Sequence, residues 1–583
     1  MKKNQSNKPL VQLNPRVYPG GLSKRWLIFD ISVVLLLSII FGWLYGSAHA
    51  WGAWSDDAPG YIYTAGQFFK HEPLVTQSSL VQSALTFFGN EPWARLAAPT
   101  HHEIISPSGW IASRYPIGLG ALMYLAGLIS GLMDSFYVVV PALAVLAIIF
   151  TYLLSIKLFL VSPIYQRLIG LIAAVTLGFT ELYSSYAVSQ PMREIPALTF
   201  FLLALLLIVY TLQAKLNKYL SSIILLLAGA SYGYSINIRE TFFILFPVII
   251  LLLYYFKPAW QQIKKPLLIL CLGIVVAGLL SIWNSGWITL YKEKFKAKDI
   301  TSVAITSNFD HIESLSVQNL YDNEGKYKRG VGGVLQYIDV LQTEFAFWPL
   351  FLFMAVIGLL VLWNKQRKLA YLFISWFGLI FLLFSAWINP YARYILPLFP
   401  VVTLLAGYGV VISLIWLKEK LKLTHWMYVG VIVLMIGSLF ITLQPLILAR
   451  IQHVQNQALV NKAISKQDLQ TLKQLGVAIK QDTPNNKPPL LLMIGDWQSG
   501  IAEMIMTHDS LPVIRYPRKA AEQPPVNNMV GWLTQLSEQY QLYLWYDDSA
   551  SNTEQQLRAQ LTLEELTQYD FSFQQKVVIY KIK

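Results

Sequence analysis

The sequence predicts a polytopic all-α membrane domain of about eleven transmembrane helices with added interfacial helices. A small extracytoplasmic α/β domain follows at the C-terminus. Three observations lead there. Of 583 residues, 55% are hydrophobic and only 13% are charged, and the mean hydropathy is +0.47. A soluble protein carries about 25% charged residues, so these few charges could not cover the surface of a globular chain of this size. Long apolar runs recur along residues 26–444. From about residue 445 Lys, Gln, Asn and Asp return, and short apolar strands alternate with helical patterns. This composition excludes a disordered chain, a coiled coil and an ordinary cytosolic enzyme. The single cysteine, Cys271, excludes a disulfide framework and a cysteine-based metal site.

A helical span needs about 20 mostly apolar residues. Runs that meet this lie at 26–46, 135–157, 167–186, 196–212, 219–237, 241–256, 266–284, 347–363, 369–387, 394–414 and 425–444. The first is preceded by a basic tail, residues 1–25, and followed by Ala48-His49-Ala50, which has the form of a signal-peptide cleavage site. The apolar run is longer than the usual signal core of about 7–15 residues, so it reads as a retained span. The stretch 116–133 is apolar but short, starts at Pro116 and is rich in glycine.

Charge decides the status of 116–133. Cytoplasmic loops collect Lys and Arg. If 116–133 does not span, the short loops on one side carry thirteen basic residues, among them Lys157, Arg167, Lys264, Arg367 and Lys420. The opposite short loops carry only Arg193, Arg239 and Arg393. If it spans, the rule inverts. The stretch is therefore expected to lie in the outer interface. The N-terminus is then cytoplasmic, and the segments 47–134, 285–346 and 445–583 are extracytoplasmic. The net charge of +13 becomes an orientation signal and needs no nucleic acid to explain it.

The 445–583 region reads as an α/β domain. Strands are expected at 490–494, 511–514, 542–546 and 571–580, and helices at 463–480, 499–507, 530–540 and 553–560. Gly495-Asp496-Trp497-Gln498-Ser499-Gly500 and Asp547-Asp548 follow strands, where α/β domains often place ligands, but neither is a phosphate-binding fingerprint. The domain reads as structural or acceptor-recognising rather than catalytic.

The charges that oppose the orientation bias are the candidate site. Asp56-Asp57 follows the first span within Trp54-Ser55-Asp56-Asp57-Ala58-Pro59-Gly60-Tyr61. Two adjacent carboxylates at an interface repel and are partly desolvated, which suits a general base or a cation site. The bland alternative is a polar interface rich in Trp and Tyr. Glu194 opens the 196–212 span, where the helix dipole alone would also favour it. Arg193 beside it either neutralises it or binds an anion. Arg239-Glu240 interrupts an apolar run and is costly there unless paired; the pair also reads as a cap between two spans. Arg393, in Asn389-Pro390-Tyr391-Ala392-Arg393-Tyr394, has the planar fork that suits phosphate. His101-His102 lacks the His-Glu-x-x-His spacing and reads as loop, with no dedicated zinc site. The alternating Lys292, Lys294, Lys296 and Lys298 read as a solvated or headgroup-facing segment.

Four of these patterns, in this order, resemble the GT-C superfamily of integral-membrane glycosyltransferases. That group includes protein O-mannosyltransferases and aminoarabinose transferases. Asp56-Asp57 with the following Ala58 to Tyr61 resembles the family's acidic first-loop motif. Ser113-Arg114-Tyr115-Pro116-Ile117-Gly118 resembles the entry to its interfacial helix. Met192-Arg193-Glu194-Ile195-Pro196 resembles the second-loop acidic motif. Ala392-Arg393-Tyr394-Ile395-Leu396-Pro397-Leu398-Phe399-Pro400 resembles the Arg-Tyr stretch of a late span. The likeness covers roughly 26–444. Asp57 stands after the first Asp in place of Glu, Tyr115-Pro116 stands where the family has a proline pair, and the C-terminal domain matches nothing in the pattern.

The resemblance implies an inverting transfer of a sugar from a polyprenyl-phosphate donor to a hydroxyl of an envelope glycan, lipid or protein. It places this on the extracytoplasmic side of the inner (plasma) membrane, among membrane lipids. It implies Asp56 as general base, with Asp57 and Glu194 positioning groups or holding a divalent cation, Mg or Mn. Arg239, Arg393 and Arg193 would bind the donor phosphate. Tyr61, His101, His102 and Arg114 belong to the substrate and acceptor loop. Two other readings remain open: a transporter or lipid flippase, and a glycan ligase or polymerase using a lipid-pyrophosphate donor.

Overall fold

A computed structural model describes residues 24–52, 57–89, 92–99, 102–113, 116–214, 216–257, 259–294, 331–345, 350–385, 391–422, 464–494, 498–516, 523–547, 552–571 and 576–583, with a few isolated positions between 427 and 452. Side chains from 280 to 294 are not described.

The helices follow the apolar runs. They are α1 (Lys24–Ala48), α2 (Ala58–Phe69), α3 (Ser79–Phe88), α4 (Gly118–Ser130), α5 (Val139–Leu158), α6 (Pro163–Phe179), α7 (Glu181–Val188), α8 (Glu194–Gln213), α9 (Lys218–Ile238), α10 (Phe246–Phe256) and α11 (Trp260–Lys294). Later helices lie at Val331–Glu344, Leu350–Lys365, Arg367–Ser385 and Phe399–Lys420. Among the described residues seven helices are long and apolar enough to cross a membrane, or eight if one bent pair is a single span. Leu35, Leu36, Ile39 and Trp43 on α1 and Leu268, Leu272, Val275 and Val276 on α11 face outward. An outer surface so apolar suits lipid and not water, and the chain is an integral membrane protein.

Glycine sets two of the helix contacts. A Cβ on Gly229 of α9 would lie 2.1 Å from the carbonyl oxygen of Leu270 on α11. A Cβ on Gly358 would lie 2.1 Å from the Leu405 carbonyl oxygen of the Phe399–Lys420 helix. Backbones can approach this closely only where the side chain is missing.

Several spans differ from expectation. The run 167–186 is not one straight helix: α6 and α7 meet at Thr180 with a 62° bend. Thr180 is extended, at φ −65° and ψ 139°, and its hydroxyl donates to the Leu177 carbonyl, closing α6. The run 241–256 starts with a 3₁₀ turn, Glu240–Leu245, before α10. The run 347–363 becomes a helix of 16 residues. The run 266–284 lies inside the longer α11. The run 425–444 lies outside the described residues, apart from two isolated positions. The stretch 116–133 holds α4, a helix of 13 residues. At 1.5 Å per residue it is about 20 Å long, short of the ~30 Å hydrocarbon core.

Residues 58–113 build on the same end of the bundle. There α2 and α3 flank a three-stranded antiparallel sheet of β1 (Val75–Gln77), β2 (His102–Ile104) and β3 (Trp110–Ser113), in the order β1-β3-β2. The C-terminal region forms a five-stranded sheet in the order β5-β4-β6-β8-β7. Its strands are β4 (Pro489–Ile494), β5 (Val513–Arg515), β6 (Gln541–Asp547), β7 (Leu563–Asp570) and β8 (Lys576–Ile582). β4 runs parallel to β5 and β6, and β8 antiparallel to β6 and β7. The helices Lys466–Asp482, Gln498–Asp509, Val526–Ser537 and Asn552–Ala559 complete it. The strand expected over 571–580 overlaps β8 at 576–580, and β7 before it was not expected.

The sheet does not stand on a core of its own. Its apolar face packs with the first loop: Leu80, Val81, Ala84 and Phe88 of α3 share one cluster with Leu492, Ile514, Trp532 and Leu544. The Phe88 and Trp532 rings meet edge to face at 5.1 Å, and the Trp532 indole donates to Ser83 at 3.1 Å. Backbone bonds from Ala50 to Val188 (2.7 Å) and from Trp51 to Ile464 (2.8 Å) tie α1, α7 and the C-terminal region together.

Candidate functional site

Four of the expected residues meet at this end of the bundle. Glu194 is the first residue of α8 and is 1% exposed. Its Oε1 accepts from the Nη1 of Arg239, the residue that ends α9. The Nε of Arg393 stands 3.3 Å from the same oxygen, an ionic contact without hydrogen-bond geometry. The Nη2 of Arg393 donates to Asp57, which immediately precedes α2. One guanidinium thus joins two carboxylates. Glu194 Oε2 is buried with no hydrogen-bond partner among the described residues.

The two Arg-Glu dipeptides exchange partners. Arg239 pairs with Glu194, and Arg193 pairs with Glu240 at 3.0 Å. Arg193 was expected to neutralise Glu194 or bind an anion, and instead it faces Glu240; the expectation that Arg239 and Glu240 are costly unless paired is met by partners on other elements. The reason is geometric: adjacent residues at a helix start do not face each other, so each side chain reaches across to another element.

Aromatic rings wall the cluster. The Arg239 guanidinium lies 4.5 Å from the Tyr394 ring centroid and 5.3 Å from that of Phe384. Arg393 lies 5.4 Å from Tyr394 and 5.2 Å from Tyr391. Tyr186 of α7 adjoins Arg393. Thr241 accepts from Arg239 Nε at 3.1 Å. Each guanidinium carries five N–H donors, so these contacts leave capacity for an anionic ligand. Tyr186 and Phe384 carried no signal in the sequence; Tyr394 was part of the Arg393 motif but had no assigned role.

Other expected residues lie elsewhere or are not described. Tyr61 is buried one turn into α2 from Asp57. His102 is on β2, edge to face with Tyr63 at 4.9 Å. Asp56, His101 and Arg114 lie outside the described residues, as do Lys296 and Lys298. Asp57 and Glu194 do not fit a shared divalent cation, because Arg393 occupies the place between them. Among the described residues no group of three His, Cys, Asp or Glu side chains is arranged to hold a metal.

Two further ionic features were not foreseen. Asp30 of α1 is buried and accepts from Arg167 at 2.6 Å and from Tyr152 at 2.8 Å. Arg167, counted by sequence among the thirteen basic residues of the short cytoplasmic loops, is 2% exposed and stacks over Trp26 at 4.3 Å. Asp30 lies 18 positions before Ala48 on α1, about 27 Å along the axis, so this pair marks the opposite end of the bundle. The second is Glu344, which accepts from the Leu182 N–H at 2.6 Å and so caps α7. Burial raises its carboxyl to about 7, against the lowering effect of that hydrogen bond.

No protein-family model and no curated protein sequence matches the chain. Solved structures do. ArnT from Cupriavidus metallidurans bound to undecaprenyl phosphate superposes with a TM-score of 0.52 at 13% identity, over 96% of this chain and 98% of that one. Its apo state gives a TM-score of 0.54 at 13% identity over the same shares, 96% and 98%. The apo oligosaccharyltransferase of Archaeoglobus fulgidus gives 0.50 at 13% identity, over 90% of this chain and 70% of that one. Both are GT-C proteins. At this identity the likeness is one of architecture: the chain has the GT-C fold, the expected fold class.

Proposed function

We propose that the protein is an inverting glycosyltransferase that moves a sugar from a polyprenyl-phosphate donor to a hydroxyl acceptor at the extracytoplasmic face. The observation that carries this reading is the convergence of Arg239 and Arg393 on Glu194, beside Asp57, at the end of a GT-C bundle. A donor with a lipid tail needs a membrane groove, and its phosphate needs cations at the interface. Two guanidiniums with spare donors meet that need. ArnT, which shares the fold, was crystallised with undecaprenyl phosphate.

In this mechanism a carboxylate takes the proton of the acceptor hydroxyl as its oxygen attacks the anomeric carbon. The bond from that carbon to the phosphate oxygen breaks on the opposite side, and the phosphate leaves with the electron pair. We assign the base to Asp56. Asp57 accepts from Arg393, which fixes its carboxylate and makes it a positioning group. Arg239 and Arg393 stabilise charge on the leaving phosphate. Arg193 is paired with Glu240, so its charge is already balanced beside them.

One observation favours a second reading. The 62° break between α6 and α7 is of the kind that transporters use to line a path. Mass spectrometry of lipid-linked sugars and envelope glycans, in cells with and without the protein, separates the two. The transferase reading expects a polyprenyl-phosphate sugar to accumulate and one glycan modification to vanish in its absence. Unchanged profiles of both would overturn it.

A further inference from the structure

A second candidate site lies apart from the arginines. A cleft of about 300 Å³ opens between the first external loop and the C-terminal region. Its walls come from the second half of α2, from β1 and the start of α3, and from residues 506–513 with Tyr540. The volume is at the lower bound of ordinary ligand pockets.

Its chemistry is specific. Gln67, Gln77, Ser79 and Thr507 line it, with Tyr63 and Tyr540 as the aromatic members. Gln67 is 2% exposed, and its Oε1 finds no hydrogen-bond partner among the described residues. Thr507, 1% exposed, has an Oγ1 in the same condition. Two such orphaned oxygens in the lining of one cleft are uncommon, since buried polar groups are nearly all paired. A ligand bearing hydroxyls supplies both kinds of partner at once.

The charges argue against an anion. Lys70 lines the cleft, but its ammonium already donates to the Met506 carbonyl at 3.2 Å and the Ser510 hydroxyl at 2.8 Å. Burial also lowers its pKa. Glu72, also in the lining, offsets its charge. No arginine is among the lining residues.

We infer that this cleft binds a neutral saccharide stretch, and that α2 connects it to the ionic cluster. Asp57 immediately precedes α2, and Gln67 is ten positions further on. That is about 15 Å of helix, too far for the single sugar of a donor held at Asp57. The saccharide therefore belongs to the acceptor. The binding of a saccharide stands on the cleft alone; its assignment to the acceptor rests on the transferase reading.

The test uses the full-length protein in nanodiscs on a printed array of neutral and acidic oligosaccharides. Hits are titrated in solution by saturation-transfer NMR, with inorganic phosphate as the competing probe. Gln77→Ala is a surface change; Tyr540→Ala removes a half-buried ring, and Gln67→Leu removes an orphaned oxygen together with the Nε2 donor to the Pro73 carbonyl, so both melting temperatures are checked against wild type. The inference expects a neutral oligosaccharide to bind, with affinity falling at least about tenfold in Tyr540→Ala and Gln67→Leu at unchanged melting. Tyr152→Phe, at the opposite end of the bundle, should bind the saccharide as wild type does. Binding only of acidic glycans, displacement by phosphate, binding equal in all cleft variants, or no binding would each overturn it. If wild type binds the saccharide in the cleft but transfers no sugar, the cleft stands and the transferase reading falls.

Discussion

Replacing Glu194 by glutamine removes a carboxylate that both Arg239 and Arg393 contact. The Arg239 and Glu194 side chains are 3% and 2% exposed, and Arg393 is 15% exposed. Asp57 still faces Arg393, but Arg239 is left among the Tyr394 and Phe384 rings with a neutral amide. Removing one partner of a buried ion pair costs about 3–5 kcal/mol. At about 1.4 kcal/mol per factor of ten, that lowers the folding equilibrium by two to four powers of ten. Arg239→Met should cost about the same, since it strands Glu194 with one poorly aimed contact. The double variant should cost less than the two singles together by about 1–3 kcal/mol, because no uncompensated charge remains at that pair. Reversible unfolding in mixed detergent micelles measures all three. A cost below about 1 kcal/mol for Glu194→Gln, or strict additivity in the double variant, would refute a buried, coupled pair.

Further outcomes follow from the other contacts. Tyr152→Phe deletes one hydrogen bond to Asp30 and should destabilise by about 1 kcal/mol, leaving sugar transfer unchanged; a change in transfer would tie that end of the bundle to the reaction. Trp532→Ala should cost about 3–5 kcal/mol and expose the C-terminal region to limited proteolysis, because it empties the shared core under α3; a protease-resistant variant would mean the two parts hold separately. For Glu344 the folded pKa of about 7 lies above its ordinary value of 4.5. Between these values the native state holds more protons than the unfolded one, so stability falls as pH rises, by at most about 1.4 kcal/mol per unit. Glu344→Gln should remove that slope between pH 5 and 7, as read from melting curves; an unaltered slope would assign it to other groups.

The long spans were legible because α1, α5, α8 and α9 are each long, mostly apolar runs, and the hydrocarbon core demands that length. The break at Thr180 was not, since a lone Thr in an apolar run is as compatible with a straight helix. The parallel strands β4 and β6 showed themselves as short apolar blocks. The strand β7, Leu563-Glu564-Glu565-Leu566-Thr567-Gln568-Tyr569-Asp570, is an edge strand in which no side chain is fully buried. Its composition carries no buried face to read.

At the site, the charges opposing the orientation bias pointed to Glu194, Arg239 and Arg393. Their pairing was hidden, because neighbours in sequence proved to face different elements. Asp30 was missed for the converse reason. It is a single acid inside the first apolar run, and its partner Arg167 had been absorbed into the basic rim.

The central claim is that this chain cleaves a polyprenyl-phosphate sugar with Asp56 as base and the two arginines at the phosphate. Its most direct test is transfer by the purified full-length protein in proteoliposomes, following release of polyprenyl phosphate and the anomeric configuration of the product. The account predicts release by wild type with inversion at the anomeric carbon. It predicts a loss of at least about a hundredfold in Asp56→Asn, with melting unchanged. Undiminished release from Asp56→Asn, or solute movement across the membrane with no polyprenyl phosphate set free, would contradict it.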